Sequence, residues 1–170
     1  GARVTEPAHE MAVGADHCTL VEAHAGERAD VVDQQFVGQV LLEGRPFFAD
    51  FCMARDVVRS LRAHDFRGDT ATYAFVIMPD HVHWLIELVG DASLAAIMKR
   101  FKGVTANRVN ARLCRSGAVW QPSFPDHAIR NDECLASVAR YVVMNPVRAG
   151  LVERIGDYAL WDSAWDMSDC

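Results

Sequence analysis

The chain reads as an α+β domain: a ferredoxin-like antiparallel sheet with helices on one face, followed by a C-terminal helix that carries a tyrosine. Three observations predict this. Periodic segments recur in the order strand, helix, strand, strand, helix, strand, helix. Two β-rich runs are broken by only two residues, which makes them a hairpin. A length of 170 residues, 51% hydrophobic and 24% charged, suits one soluble domain with one core.

Each element follows from its pattern. Residues 35–42 (QFVGQVLL) form a first strand, interrupted by Gly38, and Glu43-Gly44-Arg45-Pro46 turns the chain. From Asp50 to His64 the apolar positions Phe51, Ala54, Val57, Val58 and Leu61 recur at helical spacing, with Arg55, Arg59 and Arg62 outside them. Residues 73–78 and 81–88 are the hairpin strands, joined by Pro79-Asp80. Ser93 caps a second helix running through Leu94, Ile97, Met98 and Phe101 towards Val109. A short strand falls between Val119 and Arg130, and a third helix runs from about Asp132 to Asn145. Pro146 stops it, because the residue before a proline disfavours helical geometry.

No apolar run approaches the roughly 20 residues that a membrane-spanning helix needs. The first residues lack the basic and apolar regions of a secretory signal, so a cytoplasmic location is expected. Five cysteines without CxxC spacing signal neither a zinc knuckle nor a disulfide framework.

The formal net charge of −6 argues against a nucleic-acid partner only if it is evenly spread. Residues 1–33 hold seven acids against two bases and residues 153–170 five against one, leaving 11 acids and 14 bases between them. From Ala92 to Pro125 the bases Lys99, Arg100, Lys102, Arg108, Arg112 and Arg115 occur with no acid at all. Such a run is either a solvated helix face or a surface for phosphates.

Alternate side chains on a strand share a face about 6–7 Å apart, so His81 and His83 can converge on one ion while Val82 and Trp84 face the core. The pair is half a metal site, or else two surface histidines. Glu87 shares their face but lies roughly 13 Å beyond His83. Asp80 precedes the pair at the turn and points to the other face if the strand already begins there. A third ligand has to come from elsewhere.

In the third helix Leu135, Val138 and Val142 define a buried stripe, and Tyr141 falls roughly 110° from its centre at about 100° per residue. Asn145 lies one turn further on the same flank. Tyr141 is therefore either a boundary tyrosine bonded at the helix edge or a reactive one.

The runs MPDHVHWLIEL (78–88), SLAAIMKRFKG (93–103), VWQPSFPDHAIRNDE (119–133) and ARYVVMNPVRAGLV (139–152) resemble the single-tyrosine HUH transposases, most of all the REP-associated tyrosine transposases. The likeness spans roughly residues 47–165, and four ordered motifs are far more specific than HxH alone. It implies that His81 and His83 are the histidines of the HUH motif, Tyr141 the nucleophile and Asn145 the polar ligand completing the metal shell. It also implies a divalent ion, Mg²⁺ or Mn²⁺, and cleavage of single-stranded or hairpin DNA through a 5′-phosphotyrosine intermediate. Lys99, Arg100, Lys102, Arg108, Arg112 and Arg148 would then contact DNA, in a nucleoid-associated protein. A homodimer sharing active sites is compatible with a tyrosine helix terminal to the core. Imidazole ligands alone suit zinc or nickel as well.

This reading divides the chain into an acidic amino-terminal segment (1–33), a catalytic domain (34–152) and a C-terminal extension packing on it (153–170). The acidic segment departs from the family pattern. It leaves open a catalytically silent DNA-binding protein of the same fold, and a metal-dependent hydrolase of a small phosphorylated substrate is a third reading. His127, beside Asp126, is either a DNA- or metal-positioning group or a structural histidine. Trp120, Trp161 and Trp165 read as packing residues, with base stacking the alternative, and Arg154 could reach phosphates.

Overall fold

The computed structural model describes residues 34–122, 126–129 and 134–167. The acidic segment 1–33 lies outside the described residues, as do the side chains of residues 126–128. Nine elements carry the argument: β1 (Gln34–Val40), α1 (Phe51–Phe66), β2 (Thr70–Ile77), β3 (His81–Leu88), α2 (Leu94–Arg112), β4 (Asp126–Ala128), α3 (Leu135–Val143), α4 (Asn145–Arg148) and β5 (Trp161–Ser163). The strands form one antiparallel sheet in the order β4-β1-β3-β2-β5. Its first four strands have the ferredoxin-like arrangement expected from the sequence, and β5 extends the edge.

The hairpin sets the register. Val76 lies opposite His83 and Ile77 opposite Val82, with a bulge between Thr72 and Ala74 that sets Tyr73 out of the ladder. Alternation along β3 then sorts its side chains between two cores. Val82, Trp84 and Ile86 join Val37, Leu41, Phe75 and Ile77 against α1 and α2. Leu85 joins Ala74, Val76 and Met78 against Val138, Ala139, Val142 and Val143 of α3.

Both long helices begin where the sequence places them. Asp50 accepts a hydrogen bond from the backbone N of Met53, and Ser93 accepts one from the backbone N of Ala96, each satisfying a donor that the first helical turn leaves open. Trp84, Phe101, Trp120 and Phe48 form a chain of tilted ring contacts beneath them. The Trp120 indole donates to Thr105 Oγ1 at 2.8 Å, which satisfies its buried N–H.

α1 and α2 share one face of the sheet, as expected, and the added tyrosine-bearing helix α3 packs on the opposite face. The end of α3 differs from the expectation. Pro146 ends α3 but does not end helical structure, because it occupies the first turn of α4, where a missing N–H leaves no internal bond unmade. The C-terminal segment packs on the domain: β5 pairs with β2, and Ile155 and Met167 are buried in the α3 core.

Candidate metal and nucleophile site

His81 and His83 alternate with Val82 and Trp84, so both fall on the α3 face, and their rings meet edge-on with centroids 4.8 Å apart. The histidine pair and the tyrosine helix therefore share a layer. Gly38 lies opposite His83 in β1, and Phe36 stacks on the His83 ring with centroids 5.5 Å apart.

The two imidazoles are prepared differently. His81 Nδ1 lies 2.6 Å from Asp80 Oδ1. A hydrogen placed there donates to the carboxylate and leaves the Nε2 lone pair for a ligand, a common arrangement behind metal-binding histidines. His83 is held neutral, its pKa pushed down to about 3 by burial, with the charges of His81 and Arg148 adding to the effect. Its Nδ1 is buried without a hydrogen-bond partner. An orphaned nitrogen beside a second imidazole fits a cation ligand set better than a packing role.

Among the described residues no third His, Cys, Asp or Glu completes a group with the pair. Among the described residues a third protein ligand would be of another kind, and the end of α3 offers one. Tyr141 is 40% exposed there, while Val138 and Val142 are buried as the periodicity predicts. Its hydroxyl has no hydrogen-bond partner among the described residues.

Asn145 follows from a local defect. In an unbroken helix the Val142 carbonyl would accept from the N–H of residue 146, and proline has none. Asn145 Nδ2 supplies that donor at 2.9 Å and also reaches the Tyr141 carbonyl at 3.2 Å. With Nδ2 directed to carbonyls, Oδ1 is the amide's free face, the hard oxygen donor that a divalent ion such as Mg²⁺ or Mn²⁺ favours.

Arg148 completes the cluster. Its Nη2 donates to the same Tyr141 carbonyl at 2.9 Å, and its guanidinium lies 3.8 Å from the centroid of the Tyr141 ring. Tyr141, Asn145 and Arg148 are spaced i, i+4 and i+7, which brings all three to one flank. Sequence reasoning gave Arg148 to DNA phosphates and missed this stack, although the spacing carried the signal. It also passed over Asp80, which points to the other face if the strand already begins there; the structure sets its carboxylate against His81 Nδ1.

The basic helix sits elsewhere. α2 packs on the face opposite the histidines, and most of its bases are engaged. Arg112 and Arg108 reach Asp56 of α1, at 2.8 Å to its carboxylate and 3.1 Å to its carbonyl. Arg100 pairs with Asp69 at 2.9 Å, and Lys102 donates to the Gln121 carbonyl at 2.9 Å. Lys99 is exposed. Trp120 is core, Trp161 donates to the Ile155 carbonyl, and Trp165 makes a tilted ring contact with Tyr73. Arg154 lies 3.7 Å from Asp157, and His127 is known only by its backbone register opposite Phe36.

Comparison with known proteins identifies the family and the fold. The family model described as "Transposase IS200 like" matches residues 54–145, more than half of the chain, and the chain belongs to that family. A REP-associated tyrosine transposase of Escherichia coli is 30% identical over 86 residues, 50% of this chain and 49% of its own length. A Haemophilus influenzae protein assigned by name to the same group is 32% identical over 97 residues, 51% of this chain and 55% of its own length. The chain thus spans about half the length of the curated relatives it matches. Among solved structures, a REP-associated tyrosine transposase bound to a REP hairpin superposes with a TM-score of 0.59 at 22% identity, over 80% of this chain and 81% of that one. The fold is therefore that of these transposases. No helix among the described residues is long and apolar enough to cross a membrane.

Proposed function

We propose that this chain cuts and rejoins single-stranded DNA, with Tyr141 as the nucleophile and a divalent ion held by His81, His83 and Asn145. The observation that carries the reading is the placement of an exposed tyrosine, with no partner for its hydroxyl among the described residues, on the helix that packs over the sheet face bearing the adjoining imidazoles of His81 and His83.

In this reaction the Tyr141 hydroxyl loses its proton and its oxygen bonds to the scissile phosphorus. The bond from phosphorus to the 3′-oxygen breaks, and that oxygen takes a proton to become a free 3′-hydroxyl. The product is a 5′-phosphotyrosine, a phosphodiester that keeps much of the original bond's free energy. A 3′-hydroxyl attacking the same phosphorus reverses the step and rejoins a strand without ATP. A bound ion would polarise the phosphate being attacked, and Mg²⁺ or Mn²⁺ suits that task. The chain's own part is to keep two lone pairs free on β3, present an amide oxygen at the end of α3 and hold the tyrosine beside them.

Hairpin-bearing single-stranded DNA is the substrate class we assign, since the solved relative was bound to a REP hairpin. Lys99 is the α2 base best placed for phosphates, and Arg100, Lys102, Arg108 and Arg112 would have to exchange internal partners to join it. The test is covalent capture of a hairpin oligonucleotide with Mn²⁺, read on a denaturing gel. Wild-type protein gives an adduct and Tyr141→Phe gives none while still binding the strand. An adduct of equal yield from Tyr141→Phe overturns the assignment.

A further inference from the structure

We infer that Arg148 is the positioning residue of the tyrosine: its guanidinium clamps the Tyr141 ring against the end of α3 and fixes where the phenol oxygen stands. The inference rests on the role proposed for Tyr141 and adds to it a residue whose expected task was to bind DNA.

Three observations converge. The central carbon of the guanidinium lies over the ring at 3.8 Å from its centroid, closer than the contacts of Arg55 with Phe51 and Arg115 with Phe47, at 5.8 and 5.3 Å. The same group donates to the Tyr141 main-chain carbonyl, so one side chain holds both the ring and its backbone. The phenol itself has no hydrogen bond among the described residues, which leaves the stack as what limits its rotation. An exposed aromatic without such a clamp samples several rotamers, and a nucleophile displaced by about 1 Å can lose about a hundredfold in rate.

Arginine suits the task better than lysine. Its planar fork can stack face-on and donate in its own plane at once, whereas an ammonium is a point charge on a flexible stem. Helix geometry supplies the reach: side chains lean towards the helix N-terminus, so a long residue at i+7 returns to a ring two turns earlier. The cation also lies at the carbonyl end of α3, where positive charge is favoured.

The experiment compares full-length wild type, Arg148→Ala and Arg148→Lys. Binding of a hairpin oligonucleotide is measured in the Tyr141→Phe background, where no cutting intervenes, and single-turnover adduct formation in the Tyr141 background at saturating strand. Arg148→Ala is expected to lower the adduct rate about tenfold to a hundredfold with affinity changed less than about twofold, because the clamp acts on the ring and not on DNA. Arg148→Lys recovers only part of the rate, and millimolar guanidinium ion raises the rate of Arg148→Ala.

A phosphate contact predicts the reverse: weaker affinity, a salt dependence reduced by about one counterion and an unchanged rate at saturation. That result overturns the inference. NMR of ring-labelled tyrosine, read without DNA, separates this failure from failure of the proposed function. The clamp predicts that Arg148→Ala shifts and averages the Tyr141 ring signals while those of Tyr73 and Tyr158 stay in place. Unchanged Tyr141 signals overturn the clamp; altered signals with no wild-type adduct on any hairpin tried keep the clamp and overturn the nuclease reading.

Discussion

Asn145 donates its side-chain Nδ2 to the Val142 carbonyl at 2.9 Å, serving the acceptor that Pro146 has no N–H to satisfy. The same amide reaches the Tyr141 carbonyl, so the residue proposed as a metal ligand is also the cap of the nucleophile's helix. Its orientation is fixed before any ion arrives, because only the NH₂ end can face two carbonyls.

Asn145→Asp tests that double role. The substitution keeps an oxygen where an ion would bind but replaces the donor with a carboxylate facing two carbonyls at the negative end of α3. Unfolding in urea should show a loss of about 1–3 kcal/mol without metal. Asn145→Ala, which removes the donor without adding charge, should lose less, about 1 kcal/mol. Equal stability of all three proteins in the absence of metal would show that the amide does not cap the helix.

Asp56 gives a prediction for pH. Burial works to raise its pKa, but hydrogen bonds from Arg112 and Arg59 and the charges of Arg112 and Arg108 outweigh it and hold the carboxyl below its ordinary value. A carboxyl depressed in the folded state adds stability that is complete above its unfolded pKa, about 3.9, and is lost as pH falls through the folded value. Asp56→Asn should therefore lower stability at pH 7 by about 1–3 kcal/mol, since the arginines left behind are partly exposed and can return to water. Its stability should also fall less steeply than that of wild type below about pH 4. Urea titrations at pH 7 and pH 3 check both statements, and a mutant whose deficit is the same at the two pH values contradicts the ion-pair account.

Much of this was legible in the sequence because two periods act over short distances. The alternation His81-Val82-His83-Trp84 sets the histidines on one face whatever the rest of the chain does, and the stripe of Val138 and Val142 places Tyr141 on a flank. What the periods do not carry is which face of the sheet a helix covers. α2 has an apolar stripe suited to either face, so its bases could be placed on a helix surface but not relative to the histidines. The partners that engage Arg108 and Arg112 come from Asp56, 52 and 56 residues earlier in the chain. β5 spans only three residues, too few for alternation to show. Asn145 was placed by helical spacing, but its cap depends on the missing N–H of its neighbour, which a period does not report.

Asp80 supplies the sharpest test of the metal reading because it would act on the ion without touching it. Its carboxylate lies 2.6 Å from His81 Nδ1, while its side chain is 42% exposed and that of His81 27%. An exposed contact of this kind contributes at most about 1 kcal/mol to folding, so Asp80→Ala should barely alter the unfolding midpoint. The effect on an ion is larger, because losing the carboxylate frees the ring to rotate, lets either nitrogen carry the proton and makes Nε2 a poorer donor. Calorimetric titration of metal-stripped protein with Mn²⁺ should show an affinity about tenfold to a hundredfold weaker in Asp80→Ala. Asp80→Asn, which can still accept from Nδ1–H through a neutral oxygen, should fall between that mutant and wild type. Wild-type affinity in Asp80→Ala would mean that His81 does not hold the ion through Nε2, whereas a parallel loss of stability and affinity would mean that Asp80 acts on the turn and not on the imidazole.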